Sequence, residues 1–263
     1  MRQKYKMKSL TILKIGGNVI DNPKILESVL RDFAEWQNSK LLVHGGGKIA
    51  DKLLLKLGIT PTMVDGRRVT DSATLDVVTM VYAGLINKQI VAKLQSYSCN
   101  AIGLSGADAN VILAQKRQVV GLDYGFVGDL ETANVSEKTL TNIFKSGFVP
   151  VIAPITHDGK GILLNTNADD IASSVASAMA KNFSVQLVYC FEKAGVLHTP
   201  DDENSVIDFL DTALYERYKE QGIFTAGMLP KLNSAFAALH NGVDEIRICN
   251  PEGIKQGGTR IKL

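Results

Sequence analysis

Twice near its N-terminus the chain runs from an apolar, strand-like stretch straight into glycines that open a helical pattern. Leu10-Thr11-Ile12-Leu13-Lys14-Ile15 leads into Gly16-Gly17-Asn18, and Leu41-Leu42-Val43-His44 leads into Gly45-Gly46-Gly47. A buried parallel strand that ends in glycine presents free backbone N–H groups and a helix N-terminus beyond its carboxyl end, and that combination attracts anions. Each turn taken singly is also an ordinary strand-to-helix connection. Two in succession, with Lys14 interrupting the first apolar run just ahead of its glycines, point to a phosphate-holding site. Neither is a known fingerprint, since Gly16-Gly17-Asn18 is not G-x-G-x-x-G and no G-K-[ST] follows at P-loop spacing.

Composition narrows the partners. With 263 residues, 45% of them hydrophobic, the chain can bury a large core as one α/β domain or two lobes. Its 29 basic and 27 acidic residues are mixed along the sequence for a net charge of +2, so neither nucleic acid nor a membrane surface is indicated. Cys99, Cys190 and Cys249 are far apart and lack C-x-x-C spacing, which implies buried thiols rather than a disulfide framework or a zinc site. The basic segment 1–6 is followed by an apolar stretch that Lys14 and Gly16 break too early for a signal-peptide core. No apolar run approaches the roughly 18 residues that span a bilayer. A soluble, cytoplasmic protein is expected.

Strand-like runs alternate with helical patterns almost throughout, which predicts parallel β-α-β units with helices on both faces of one continuous sheet. Ile25-Leu26, Val29-Leu30, Phe33 and Trp36, then Leu53-Leu54 and Leu57, recur at helical spacing and should cover that sheet. Asp71-Ser72 starts one or two long helices toward Leu94. Between Asn110 and Glu131 the period changes: Val111-Ile112-Leu113, Gln118-Val119-Val120 and Gly125-Phe126-Val127-Gly128 read as short antiparallel strands and a hairpin, a lid-like insertion at the sheet edge. Phe148 to Ala153 is a buried strand, Asn167-Ala168-Asp169-Asp170 opens a small-residue helix through Met179, and Val185 to Phe191 is a central strand. Helices from about Asp208 to Gln221 and from about Leu229 to Asn241 precede two closing strands, Glu245 to Ile248 and Thr259 to Ile261.

The motifs in their order resemble the amino acid kinase family, and within it the branch acting on acylglutamates. They are Leu13-Lys14-Ile15-Gly16-Gly17, Val43-His44-Gly45-Gly46-Gly47, Gly66-Arg67-Arg68-Val69-Thr70, Gly103-Leu104-Ser105-Gly106 and Phe126-Val127-Gly128, followed by Asn165-Thr166-Asn167-Ala168-Asp169, the run from Gly222 to Met228 with Lys231, and Gly258-Thr259-Arg260-Ile261. The K-x-G-G and H-G-G-G turns are shared across the family, whereas G-R-R-V-T and N-T-N-A-D point to the acylglutamate branch. The resemblance implies an α/β, three-layer αβα sandwich around a mostly parallel sheet, with a single domain over 1–263. Residues 1–180 would bind the acylglutamate and dimerise, and residues 181–263 would bind ATP. The implied reaction moves the γ-phosphoryl group of ATP, with Mg2+, to the γ-carboxylate of an N-acyl-L-glutamate. N-acetyl-L-glutamate would yield N-acetyl-L-glutamyl 5-phosphate and ADP, in arginine biosynthesis. Only about nine residues precede the first strand, where arginine-inhibited members of the family tend to carry an extra helix, so an arginine-insensitive homodimer is expected, formed through the long helices after Asp71.

Phosphoryl transfer to a carboxylate joins two anions and needs no general base, so catalysis rests on alignment and charge neutralisation. The resemblance gives Lys14 and Lys231 as the two ammoniums that meet the moving phosphoryl group, Asp169 as the carboxylate holding both lysines, and Gly16, Gly17 and Gly46 as backbone donors. Arg68 would bind the α-carboxylate through its planar fork, with the backbone of Gly46 and Gly47 and the side chain of Asn165 holding the rest of the acceptor. Glu192, Gly195, Val196, Leu197, Ile223, Phe224 and Thr225 would surround the nucleotide. Magnesium would be held by phosphates and water, without a dedicated ligand cluster. His44 is expected to orient its loop by hydrogen bonds rather than act as a base, and His157, His198 and His240 have no partner pattern.

The sequence departs from the family at Cys190-Phe191-Glu192-Lys193-Ala194-Gly195-Val196, where relatives carry an aspartate-bearing turn, and at Ala107, where a lysine is common. Such changes suit a bulkier or charged acyl group, and N-succinyl-L-glutamate is the alternative acceptor; Arg67, Arg117 and Lys116 are the cations that could meet its extra carboxylate. A sister kinase for aspartate, carbamate or uridine monophosphate is disfavoured by Arg68 with N-T-N-A-D. A Rossmann dehydrogenase lacks its glycine fingerprint, and a silent amino-acid sensor should have lost one of the lysines.

Overall fold

The computed structural model describes residues 8–199, 202–225 and 228–263; the basic segment 1–6, and Ala226 and Gly227 of the turn before Lys231, lie outside them. The first half runs β1 (Lys8–Ile15), α1 (Gly17–Ile20), α2 (Pro23–Glu35), β2 (Ser39–His44), α3 (Gly47–Lys56), β3 (Met63–Val64), β4 (Arg67–Arg68), α4 (Ser72–Thr79), a π-helical stretch (Met80–Ile86), α5 (Asn87–Ser96), β5 (Ala101–Leu104), β6 (Gln115–Lys116) and β7 (Val127–Asp129). It continues through α6 (Glu137–Lys145), β8 (Val149–Ile152), β9 (Ile155–His157), β10 (Leu163–Thr166), α7 (Ala168–Met179), β11 (Phe183–Cys190), β12 (Phe209–Leu210), α8 (Thr212–Glu220), α9 (Leu229–His240), β13 (Glu245–Cys249) and β14 (Thr259–Ile261).

β1, β2 and β11 read as unbroken apolar runs because they lie side by side in the middle of a parallel sheet covered on both faces. The order is β12-β14-β13-β11-β1-β2-β8-β5, and β13 with β14 is the antiparallel pair. One face packs against α6, α7, α8 and α9, with Ile171, Val175, Leu232 and Tyr215 in its core. The other packs against α2, α3 and the long helix from Ser72, with Leu30, Phe33, Leu54 and Val78. The three-layer αβα arrangement is therefore as expected.

The sheet is not continuous with everything else, which corrects the sequence reading. β6, β7, β10 and β9 form a separate four-stranded sheet, and β3 with β4 a third of two strands. The hairpin pairs Gln115 with Asp129 and Lys116 with Gly128, so Gln118 to Val120 form its exposed tip rather than a strand. β10 reaches it from a distant part of the chain, pairing Asn165 with Val127 in parallel. Such partners are non-local, and nothing in either short segment encodes them. β5 and α6 were also not anticipated, and Leu57, expected to cover the sheet, is 56% exposed just past the end of α3.

Asp71 caps the long helix, accepting a hydrogen bond from the Thr74 N–H at 2.7 Å. Through its π-helical middle it continues unbroken over Ser72–Ser96, 25 residues, long and apolar enough by length and composition to cross a bilayer. Val77, Val81, Ile86, Ile90 and Leu94 instead face the core.

Candidate active site

Lys14 is the penultimate residue of β1 and 9% exposed. A lysine there needs a partner, and it has one: Nζ lies 2.7 Å from Asp169 Oδ1. Asp169 sits in the first turn of α7, where the helix dipole favours a carboxylate, and its N–H donates to the capping Asn167 Oδ1 at 2.7 Å. Burial pushes the Asp169 carboxyl up, but the charge and hydrogen bond of Lys14, with the charge of Lys231, outweigh it and hold the group below its ordinary value.

Lys231, near the start of α9, comes to the same place from the other end of the chain. Its ammonium stands 4.2 Å from the centroid of the Phe191 ring. Burial lowers its pKa, the Asp169 charge opposes that, Lys14 lowers it further and Glu192 opposes. Asp169 thus pairs directly with Lys14 and acts on Lys231 through space, a narrower arrangement than one carboxylate gripping both.

The glycines divide in use. The Gly16 N–H donates to Cys190 O at 3.1 Å and the Gly45 N–H to Ile15 O at 3.1 Å, so both are spent tying the turns to the sheet. This removes Gly16 from the expected donors. Gly17, Gly46 and Gly47 stand at the starts of α1 and α3, where helix geometry leaves N–H groups without intrahelical partners, and all three line a cleft of about 230 Å³. Gly46 has φ +148°, where an L side chain is strained, and a Cβ there would run into the Ile86 side chain, so glycine is favoured.

His44 is fully buried below this turn. Its Nδ1 lies 2.8 Å from Gly45 O and its Nε2 3.2 Å from Asn87 Nδ2, while Asn87 also donates to Val151 O at 2.9 Å. Burial pushes its pKa down to about 4, so the ring is neutral and acts as a strut. Asn87 is the first residue after the π-helical stretch, which ends with Ile86 against Gly46; a π turn inside an α-helix often marks a functional site.

The rest of the cleft is polar and drawn from the first two-thirds of the chain: Arg67, Arg68, Asn165, Thr166 and Asp169 line it with Met63 and Tyr82. Arg68 is 7% exposed and bonded to Asp51, with Nη2 3.4 Å from Gly47 O. Burial works against its charge, and the bond and charge of Asp51 together with Tyr82 outweigh it and hold the guanidinium above its ordinary value. Asn165 donates to Thr70 Oγ1 at 3.0 Å. Lys116 and Arg117 lie farther out on the hairpin; Arg117 is held by both oxygens of Asp129 at 2.9 and 3.0 Å.

A second, smaller pocket of about 70 Å³ is lined by Lys193, Gly195, Leu197, Ile223, Phe224, Thr225 and Met228. Five of the seven residues expected around a nucleotide are here. Val196 is not: its side chain is in the core and its N–H donates to Thr259 Oγ1 at 2.8 Å. Glu192 is exposed outside the pocket, within electrostatic range of Lys231. Phe224 stacks on Tyr215, ring centroids 5.6 Å apart, which stiffens the apolar wall. Sequence reasoning missed Asp51, Asn87, Thr70 and the Phe191 ring. Asp51, one helical turn past the second glycine run, is the one whose spacing could have flagged it.

The family model described as the amino acid kinase family matches residues 9–250. The chain is 53% identical to an acetylglutamate kinase of Cytophaga hutchinsonii over 94% of each chain, and 50% identical to that of Bacteroides fragilis over 100% of each. Among solved structures it resembles the N-acetylglutamate synthase of Neisseria gonorrhoeae complexed with coenzyme A and N-acetyl-glutamate, with TM-score 0.82 and 23% identity, covering 97% of this chain and 59% of that one.

Proposed function

The chain belongs to the amino acid kinase family, and from that premise we infer that it transfers the γ-phosphoryl group of ATP to the γ-carboxylate of N-acetyl-L-glutamate in arginine biosynthesis. The products are N-acetyl-L-glutamyl 5-phosphate and ADP. The observation that carries this reading is the Lys14–Asp169 ion pair on the wall of a polar cleft, with Lys231 within electrostatic range of both.

In the proposed mechanism the acceptor lies in the cleft, its α-carboxylate at Arg68 and its acylamino end near Asn165 and the N–H groups of Gly46 and Gly47. For Arg68 this means sharing its fork between Asp51 and the substrate. ATP lies with its adenosine against Gly195, Leu197, Ile223, Phe224 and Thr225, and its phosphates toward Gly17 and Lys231. As the phosphoryl group moves, Lys14 and Lys231 meet its equatorial oxygens from two sides, and the Gly17 N–H adds a fixed donor. Asp169 keeps Lys14 aimed and is not itself a base. Asp169 is also the carboxylate lining the cleft and is committed to Lys14, a donor set that suits Mg2+ ligated mainly by phosphate oxygens and water.

We further propose that residues 1–180 bind the acceptor and residues 181–263 the nucleotide, in a cytoplasmic homodimer joined through the long helix. Met80 and Leu85 on that helix, 56% and 49% exposed, support the interface. Light scattering should show a dimer that Met80→Glu dissociates.

A coupled ADP-release assay tests the reaction with N-acetylglutamate, N-succinylglutamate, aspartate, carbamate and uridine monophosphate as acceptors. Turnover of N-acetylglutamate far above the last three is expected, and preference for any of those three would end this reading. One observation favours a second acceptor: Arg67 lines the cleft and its Nη1 is buried without a hydrogen-bond partner among the described residues. A tenfold or larger kcat/KM for the succinyl compound would move the assignment to it.

A further inference from the structure

The hairpin that carries Arg68 is too small to hold itself in place. β3 and β4 contribute two residues each around Asp65-Gly66, and a hairpin of that size has little stability of its own. Just past β4 the backbone is tied down, the Thr70 N–H donating to Tyr124 O at 2.9 Å and Thr70 O accepting from the Phe126 N–H at 2.7 Å. The hairpin itself is seated over the cleft by side chains that link it to larger elements, the Tyr124 hydroxyl donating to Asp65 at 3.4 Å among them. Arg68 reaches Asp51 on α3. Arg67 reaches across 103 residues of sequence, placing Nη2 2.7 Å from Asp170 Oδ2 in the first turn of α7. Its Nη1 is 3.8 Å from Asp129 Oδ1, too far for a hydrogen bond, and Asp129 is already taken by Arg117. The contact with Asp170 is therefore the firm one, and it is partly shielded, with the two side chains 20% and 31% exposed. Asp170 adjoins Asp169, whose other partner is Lys14. A short run of contacts thus connects the hairpin to the transfer centre.

We propose that Arg67 and Asp170 are a positioning pair that seats the β3–β4 hairpin, and Arg68 with it, against the start of α7, so that the acceptor is held in register with Lys14. The proposal rests on the acceptor assignment made above. Neither residue lines the pocket assigned to the nucleotide, so their loss is felt by the acceptor. When the pair is broken the small hairpin samples positions in which Arg68 is withdrawn, and the acceptor must supply the energy to bring it back.

Steady-state kinetics for both substrates on Arg67→Ala, Asp170→Asn and the double variant test this, with thermal midpoints recorded for each. Wild-type turnover of N-acetylglutamate is measured first; its absence would count against the function and not against the pair. Each single variant should raise KM for the acylglutamate about five- to tenfold while KM for ATP and kcat stay near wild type, and the double variant should be no worse than the more defective single one. Arg67→Lys, which keeps the charge, should recover part of the loss. A merely structural role would lower the thermal midpoint without separating the two KM values. The proposal is overturned if Asp170→Asn binds acceptor as wild type does while Arg67→Ala does not, because Arg67 would then act on the substrate itself. Multiplying effects in the double variant, or equal rises in both KM values, would overturn it too.

Discussion

The polar cleft and the smaller pocket are built from opposite materials. The cleft proposed for the acceptor is lined by two arginines, two asparagines, a carboxylate and the ends of two glycine turns, and its charged side chains are pinned by partners on other elements: Arg68 by Asp51, Arg67 by Asp170, Lys14 by Asp169. The nucleotide-side pocket is mostly Gly195, Leu197, Ile223, Phe224 and Met228, backed by the stacked Tyr215 ring. On the proposed assignment one would select through fixed charge, where an unmatched substrate leaves a buried ion poorly paired, and the other through shape, where a misfit costs only packing. Lys14 belongs to the wall of the first and Lys231 lines neither, and both are proposed to serve the moving group.

That division predicts where the largest loss lies. Lys231→Ala, and equally Lys14→Ala, should lower kcat by about a hundredfold or more with modest changes in either KM, because the removed charge matters most while the phosphoryl group is in flight. A folded Lys231→Ala enzyme with near-normal kcat would dissolve the distinction between the centre and its flanks. Next is Arg68→Ala, expected to raise KM for the acylglutamate roughly tenfold to a hundredfold and KM for ATP hardly at all. If its main defect were in ATP affinity, the two pockets would have to exchange roles.

A shape-selective pocket should respond to a methyl group. A Cβ on Gly195 would come within 2.7 Å of Thr259 Oγ1 and 2.8 Å of Val206 Cγ1, so Gly195→Ala should displace the loop, raise KM for ATP several-fold and cost about 1–3 kcal/mol of stability. An acceptor KM that rose with it would blur the contrast. His44 should have the smallest effect on turnover at neutral pH, yet it gives the acceptor side a pH signature. Its folded pKa of about 4 lies below the ordinary 6.5, so the unfolded chain takes up a proton first as pH falls. The stability it contributes is complete above pH about 6.5 and lost progressively down to about 4, at most about 3 kcal/mol. Denaturation midpoints between those limits should slope more steeply for the wild type than for His44→Asn, and parallel slopes would refute the assignment.

Much of this was legible locally. Lys14, Gly17, Gly46, Gly47, Arg68, Asn165 and Asp169 converge on one cleft, and their motifs were readable because each lies where a strand ends and a helix begins, a junction that glycine, asparagine and aspartate mark by their backbone and capping preferences. The misses share a different character. Gly16 looked like its neighbour Gly17, but its N–H is consumed by Cys190 O on the adjoining strand. Val196 lay inside a nucleotide-like turn but faces the core. Asp51 and Asp170 were ordinary helix acids until arginines from a distant hairpin reached them.

The sequence by itself determined the parallel β-α-β core, the two glycine turns and the types of charge gathered beyond them, because hydrophobic period and turn chemistry act over a few residues. Tertiary structure alone decided how the short strands pair into separate sheets, which glycine N–H groups remain free, and which carboxylate answers which cation. Those outcomes depend on groups more than a hundred residues apart meeting at hydrogen-bond distance, as Lys14 and Asp169 or Gly16 and Cys190 do, and a strand's register or an ion's partner is fixed only when the whole sheet and its covering helices are packed.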